Sequence, residues 1–351
     1  MKLLILTQKT DINDDVLGFF HTWLVKFAEK CEKLIVICLE KGEYNLPENV
    51  GVLSLGKEKG VSRLKYLISF YKYIWQKRKN YDAVFVHMNP IYAALGGWLW
   101  RLLGKKIILW YTHRQVDFKL KIAEKFADVI LTASKESFRL KSGKIKILGH
   151  GIDTEKFIPA VAQQSEGKFK IVYVGRISKI KNQELLIKAV DYLVNSKNIR
   201  DIKIEFIGSP VYPKDKKYFD YFRGLIRTKN LADYINFGGS VPYKEIINIY
   251  HSADLSVNLC PTGGMDKAVL ESMSCGLPVI VLNKSFESIL GDYKNELVLR
   301  EANAEKLAQK ILAVKNCDEG ERRSVSREIR GMVVREHSLG SLIDKIIGHC
   351  Q

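Results

Sequence analysis

The sequence predicts an α/β protein of two domains, each a doubly wound parallel sheet with helices on both faces. Three observations carry that expectation. Short apolar runs alternate with longer amphipathic ones, the rhythm of strand and crossover helix. The strand runs are apolar on both faces rather than at every second position, as in a sheet covered on both sides. The rhythm also breaks once, near residues 150–159, and starts again; 351 residues are long for one core and comfortable for two.

In chain order, residues 1–7 read as a buried strand, followed by a polar loop and an amphipathic helix over about 17–31. Residues 33–39 and 50–55 are the next strands. A long basic and aromatic helix covers 62–79, and a strand over Ala83–His87 follows it. After a helix near 92–103 come strands at 106–111, 127–133 and 144–148. The polar stretch 160–168 reads as a linker. A second series holds strands at Phe169–Val174, Ile202–Ile207, 234–238, 254–259 and 277–282. The expected domains are 1–159 and 160–338, with the last helix, about 339–351, packing back on the first. Ligands of open α/β sheets lie beyond the carboxyl ends of the strands, so two such domains facing each other would make a cleft.

Composition sets the class. With 46% hydrophobic and 27% charged residues the chain is globular, not disordered. No leader is expected, since Leu3-Leu4-Ile5-Leu6 is too short a core and no small-residue cleavage site follows. The longest apolar run, 91–100, meets Arg101, Lys105 and Lys106, too soon for a membrane span. Six scattered cysteines without metal spacing suit reduced thiols in a cytoplasmic protein. A formal net charge of +17 is the outlier and implies a polyanionic partner: nucleic acid, an anionic membrane face or phosphorylated substrates. The excess is uneven, with 26 basic against 14 acidic residues in the first 150.

Two stretches carry chemistry. In the segment 261–281, a glycine-rich turn leaves a short strand and opens a helix whose second turn carries Glu271; Gly276 and Pro278 stop it. Free amides at that helix start suit an anion, and a carboxylate inside the helix suits a pair of sugar hydroxyls. In the segment 173–182, a strand passes through Gly175 to Arg176 and Lys181 just ahead of a helix start near Asn182. Arginine there can bind phosphate oxygens in a bidentate manner while lysine acts as a point charge. A solvated basic loop is the plainer alternative. The acidic run 11–15 precedes a helix and reads as dipole-favouring residues, not metal ligands.

Gly175-Arg176 with Lys181 five positions beyond Arg176, followed about eighty residues later by the glycine-rich segment ending in Leu270-Glu271 and Gly276-Leu277-Pro278-Val279, resembles the retaining glycosyltransferases of family 4. Residues 149–157 are similar to that family's hinge segment, and 239–242 with 250–254 to its base-contacting loop and following helix. Thr112-His113 is similar to the histidine at a strand end facing the donor sugar. The resemblance implies a GT-B fold, two Rossmann-like domains facing across a cleft, the first for the acceptor and the second for a nucleotide-diphosphate sugar.

It also implies roles. Arg176 and Lys181 would hold the donor diphosphate and neutralise the leaving group, and Glu271 would bind the ribose diol. Amides around Gly263, Gly264, Met265, Asp266, Lys267 and Ala268 would meet the phosphate or sugar, and Val241 would lie in the base loop. His113 would bond a sugar hydroxyl or lend its carbonyl to an oxocarbenium-like state; a satisfied strand-end histidine is the alternative. His87 is a weaker candidate of the same kind, and Gly18 would belong to the loop approaching donor and acceptor. The family's first glutamate is replaced here by Gly263; Asp266 either reaches the same space or caps the helix. Catalysis would be electrostatic, with no metal and no cofactor beyond the donor.

The helix 62–79 bears on partners. Leu64, Leu67, Ile68, Tyr71 and Trp75 share a face at helical spacing, flanked by Tyr66, Phe70 and Tyr73 among lysines. Such a helix either supplies a core face or lies on an anionic bilayer. The expected protein is thus a hexosyltransferase acting on a lipid-linked or polysaccharide acceptor, cytoplasmic and peripheral on the inner membrane face. Rival readings are a silent GT-B partner, a sugar-nucleotide epimerase, and a basic nucleic-acid-binding protein; no recognition module or stacking platform supports the last.

Overall fold

The computed structural model describes residues 1–160 and 167–351, so most of the expected linker at 160–168 lies outside the described residues. The chain forms two compact units, Met1–Gly151 with Leu339–Gln351, and Ile152–Ser338.

Unit 1 runs β1 (Lys2–Thr10), α1 (Phe19–Lys30), β2 (Lys33–Lys41), β3 (Val50–Ser54), α2 (Arg63–Gln76), β4 (Ala83–His87), α3 (Pro90–Leu102), β5 (Lys106–Trp110), α4 (Phe118–Phe126), β6 (Val129–Thr132) and β7 (Ile145–Ile147). All neighbours pair in parallel, in the order β3-β2-β1-β4-β5-β6-β7. Strand pleating explains the doubly apolar runs. On β1, Leu4 and Leu6 face one core with Phe70, Ile74 and Trp100, while Leu3 and Ile5 face another with Phe20, Trp23 and Phe27. The C-terminal helix Leu339–Cys350 joins that second core through Leu339, Leu342, Ile343 and Ile346.

Unit 2 runs β8 (Phe169–Val174), α5 (Gln183–Asp191), β9 (Ile202–Ile207), α6 (Pro213–Thr228), β10 (Ile235–Gly239), α7 (Ile246–His251), β11 (Leu255–Asn258), α8 (Lys267–Ser274) and β12 (Val279–Val281). The helices α9 (Glu287–Leu290), α10 (Lys294–Leu297), α11 (Ala304–Asn316) and α12 (Glu319–His337) complete it, and the C-terminal helix is α13. Its five strands are parallel in the order β10-β9-β8-β11-β12. The order reverses direction between β8 and β11, so the loops leaving those two strands diverge and open a crevice. In unit 1 the same reversal lies between β1 and β4.

Two helix starts in unit 1 are capped by their own side chains. The Ser62 side chain caps α2 by accepting the Lys65 N–H, and Asp117 caps α4 through Leu120 N–H. The packing of α2 needed the fold: Phe70 and Ile74 are its buried residues, whereas Leu64, Ile68 and Trp75 are exposed. The acidic run before α1 is occupied locally. Asp14 accepts the Val16 and Leu17 N–H groups, and Lys9 pairs with Asp11 at 3.2 Å and Asp14 at 2.9 Å.

Candidate active site

The crevice of unit 2 collects the residues singled out above. After β8 the chain turns at Gly175 (φ 154°), passes Arg176, makes one tight turn over Lys179–Lys181 and reverses at Asn182 (φ 55°) into α5. Two buried side chains pin this loop. Gln183, fully buried, donates from Nε2 to the Arg176 carbonyl at 3.0 Å. The Tyr173 hydroxyl donates to the Lys181 carbonyl and accepts the Leu259 N–H at 3.1 Å, so one phenol joins the loop after β8 to the end of β11. Burial holds that phenol far above its ordinary pKa, so it stays a donor. Behind the loop, Gly208 (φ 131°) lies so close that a Cβ would sit 2.3 Å from the Gly175 oxygen.

On the β11 side, Lys181 pairs with Asp266. The same carboxylate accepts from Asn258 Nδ2 at 3.1 Å. Asp266 occupies the N-cap position of α8, yet its side chain makes no capping bond. Of the two expectations for it, the capping one is therefore incorrect: the charged partner 85 residues away outcompetes the local amides. Only the Asp266 carbonyl serves the helix, accepting from Val269 and Leu270 at 3.1 and 3.4 Å. The amides ahead of these have no acceptor within the helix itself, which leaves its positive end directed at the crevice. Asn283 braces the preceding turn, donating to the Gly263 and Gly264 carbonyls at 3.3 Å each. Gly263 (φ 122°) has open space where a side chain would point, and Met265 packs against the core below.

A turn into α8, Glu271 is 5% exposed. Its Oε1 accepts the Tyr243 hydroxyl at 3.1 Å and lies 3.8 Å from Lys267 Nζ. Tyr243 sits in the loop after β10 beside Val241, and both pack on the unit core. Lys156 places its ammonium 4.7 Å from the Tyr243 ring centre, and Lys267 lies 5.7 Å from it. Burial pulls the Lys267 ammonium down to about 8, with Glu271 opposing. Burial also pushes the Glu271 carboxyl up against the pull of Lys267 and Tyr243, and lowers the Lys156 pKa. Poorly hydrated cations of this kind attract an entering anion more strongly than solvated ones. Arg176 stays exposed, with its guanidinium 5.8 Å from the Tyr212 ring centre.

Arg176, Lys181, the turn 263–268 and Glu271 thus meet around one switch point, whereas His113 and Gly18 belong to unit 1. His113 follows β5 on an exposed loop, its Nδ1 accepting the Gln115 N–H at 3.2 Å. Gly18 precedes α1, where a Cβ would lie 2.5 Å from the Asp14 oxygen. His87 is buried and stacked on Phe20 at 3.8 Å. Sequence reasoning missed Tyr173, Gln183, Asn258, Asn283, Tyr243 and Lys156. Lys156 and Tyr173 lay inside recognised segments, 149–157 and 173–182, and Gln183 and Tyr243 directly after recognised ones, yet no local pattern marked their roles.

The sequence matches the family model described as glycosyl transferases group 1 over residues 154–331. Among curated proteins, it is 27% identical over 266 residues to the UDP-Gal:alpha-D-GlcNAc-diphosphoundecaprenol alpha-1,3-galactosyltransferase of Escherichia coli, covering 67% of this chain and 65% of that enzyme. It is 26% identical over 184 residues to the poly(glycerol-phosphate) alpha-glucosyltransferase of Bacillus subtilis (strain 168), covering 51% of this chain and 26% of that protein. It is 26% identical over 181 residues to a D-inositol 3-phosphate glycosyltransferase of Arthrobacter sp. (strain FB24), covering 48% and 42%. The chain therefore spans less than two-thirds of the length of these relatives. Among solved structures, Anabaena HepE in complex with UDP aligns over 99% of both chains with a TM-score of 0.77 at 16% identity. A glycosyltransferase from Rickettsia africae ESF-5 aligns over 99% and 97% with a TM-score of 0.75 at 14% identity. These likenesses establish the GT-B fold class for two Rossmann-like α/β units.

Proposed function

This chain belongs to the glycosyl transferases group 1 family, and on that premise we propose that it moves a hexose from a nucleotide-diphosphate sugar to a lipid-linked or polysaccharide acceptor, with retention at the anomeric carbon as in family 4. One observation carries the proposal: beyond β8 and β11 two lysines, a helix N-terminus and a buried carboxylate adjoin, with Lys181 paired to Asp266 at the start of α8 and Lys267 to Glu271 one turn in. A nucleoside diphosphate needs those three elements together. Arg176 and Lys181 take the diphosphate, the amides of 263–268 share it, and Glu271 accepts from the ribose hydroxyls with Tyr243 holding the carboxylate in place. Val241 and its loop border the base.

When the bond between the anomeric carbon and the diphosphate breaks, negative charge accumulates on the leaving oxygen. Fixed positive groups stabilise that charge without reorganising, and two side-chain cations supply it here with no call on a metal. The acceptor hydroxyl then bonds to the same carbon from the same face and passes its proton to an oxygen of the departing diphosphate. Asp266, hydrogen-bonded to Asn258 and paired with Lys181, stands in for the carboxylate absent at Gly263 and accepts from the donor sugar.

The acceptor class is supported by the named activities of the relatives, a diphosphoundecaprenol-linked sugar in one case and a poly(glycerol-phosphate) in another. HepE was crystallised with UDP and with UDP-glucose, which makes UDP the first nucleotide to test. Calorimetric titration with UDP, GDP, ADP and their sugars should find one tight binder. Absence of binding by every nucleotide at millimolar concentration would remove the enzyme reading and leave a silent GT-B protein.

A further inference from the structure

Residues 62–126 of unit 1 hold 13 lysines and arginines against three acids, so most of the chain's net charge of +17 is concentrated in this one segment. The three acids are engaged locally. Asp82 accepts the Lys2 N–H, Asp117 caps α4, and Glu124 accepts the Ser142 hydroxyl.

The same segment exposes large apolar side chains. On α2, Leu64, Ile68 and Trp75 form a stripe in solvent together with half-buried Tyr71. The stripe continues onto α3, because the Tyr71 hydroxyl donates to the Leu95 carbonyl at 2.9 Å and accepts from Trp98 Nε1 at 3.4 Å. There Trp98 is 47% exposed and Leu102, one turn on, 76%. Cations border it: Arg78 lies over the Trp75 ring at 4.2 Å, and Arg101 closes α3 by bonding the Lys125 carbonyl at the end of α4. On α4, Phe118, Lys119 and Lys121 are also exposed.

A solvated helix face has no use for two tryptophans and three aliphatic side chains in the open. A nucleic-acid surface would not reward the aliphatic ones. Tryptophan and tyrosine at the water boundary, aliphatic tips beyond them and cations alongside suit the headgroup layer of an anionic membrane. No helix among the described residues is long and apolar enough to cross one. We infer that the α2–α3 face of unit 1 docks on the surface of an anionic lipid bilayer, with Leu64, Ile68, Trp75, Trp98 and Leu102 entering the headgroup boundary and the surrounding lysines and arginines binding lipid phosphates.

This inference stands without the glycosyltransferase reading and is tested apart from it. The full chain is floated with vesicles of phosphatidylcholine alone and of two parts phosphatidylcholine to one part phosphatidylglycerol. Wild type should float with the anionic vesicles only, and less so at high salt, which screens the phosphate contacts. The variant Leu64→Ser/Ile68→Ser/Trp75→Ser, altered at exposed positions, should stay in solution. Lys65→Glu/Lys72→Glu should lose about fivefold in partitioning per cation removed, and more for the reversed sign. Flotation of the serine variant like wild type, or no flotation of wild type, overturns the inference. A wild-type dimer in sedimentation velocity that the serine variant dissociates assigns the face to a second copy and overturns it too. Nucleotide titration of the same preparations reports on the active site separately.

Discussion

Tyr173 offers the sharpest test of how the candidate active-site crevice is held. Tyr173→Phe keeps the ring and removes one oxygen, which carries two bonds at once: it donates to the Lys181 carbonyl and accepts the Leu259 N–H. The site is dry, since Tyr173 is fully buried. Each buried backbone group left without a partner costs about 1–3 kcal/mol, so the variant, which leaves two, should lose about 2–6 kcal/mol of stability in unit 2. The loss has a functional face as well. The phenol is what fastens the loop of Arg176 and Lys181 to β11, so the cations should be less ordered and nucleoside diphosphate affinity should fall about tenfold, the equivalent of ~1.4 kcal/mol. The assay pairs denaturant unfolding with calorimetric titration of the diphosphate. A variant within about 0.5 kcal/mol of wild type, the range of neutral surface changes, would refute the pin. A destabilised variant with unaltered nucleotide affinity would keep the fold argument and refute the link from loop to ligand.

Other outcomes follow from the same geometry. Lys181→Ala should lower turnover by a factor of about 10²–10³ while leaving the circular dichroism of the fold unchanged; wild-type activity would remove the diphosphate assignment. Asp266→Asn should weaken binding of the sugar nucleotide by about tenfold yet leave the bare diphosphate as tight or tighter, because Lys181 loses a competing carboxylate. Equal losses for both ligands would instead make Asp266 a prop for Lys181. Lys267 has a folded pKa of about 8, below the ordinary lysine value, so its charge is present below that pH and lost above it. Diphosphate affinity should therefore drop as pH rises through about 8, by at most tenfold per pH unit, and Lys267→Met should flatten the profile measured by titration at several pH values. The same depression makes unfolding harder, not easier, as pH climbs from about 8 towards the unfolded lysine value, since the unfolded chain then holds the extra proton.

The strands were legible because burial on both faces leaves a continuous apolar run, as in Leu3-Leu4-Ile5-Leu6. The long helices α11 and α12 were passed over, since α12 buries only Ile329, Val333 and His337 in 19 residues and shows little apolar rhythm. Periodicity on α2 marked an apolar face, but a helix with aromatic residues all round does not state which side meets the core. At the candidate site, Arg176, Lys181 and Glu271 announced themselves through a glycine, a strand end and a helix start. Tyr173, Asn258 and Asn283 did not, being ordinary residues whose meaning lies in what they touch.

The amino-acid sequence by itself determined what depends on neighbours within a turn or a pleat: the alternation of strands and helices, the glycine-hinged loops after β8 and β11, and the pooling of positive charge before residue 127. Tertiary structure alone decided which side of α2 stays in water, and that Asp266 answers Lys181 across 85 residues in place of capping its own helix. The reason is the parallel sheet. Its crossovers lay strands next to each other that are far apart in the chain, so side chains at neighbouring strand ends find partners that no local pattern records.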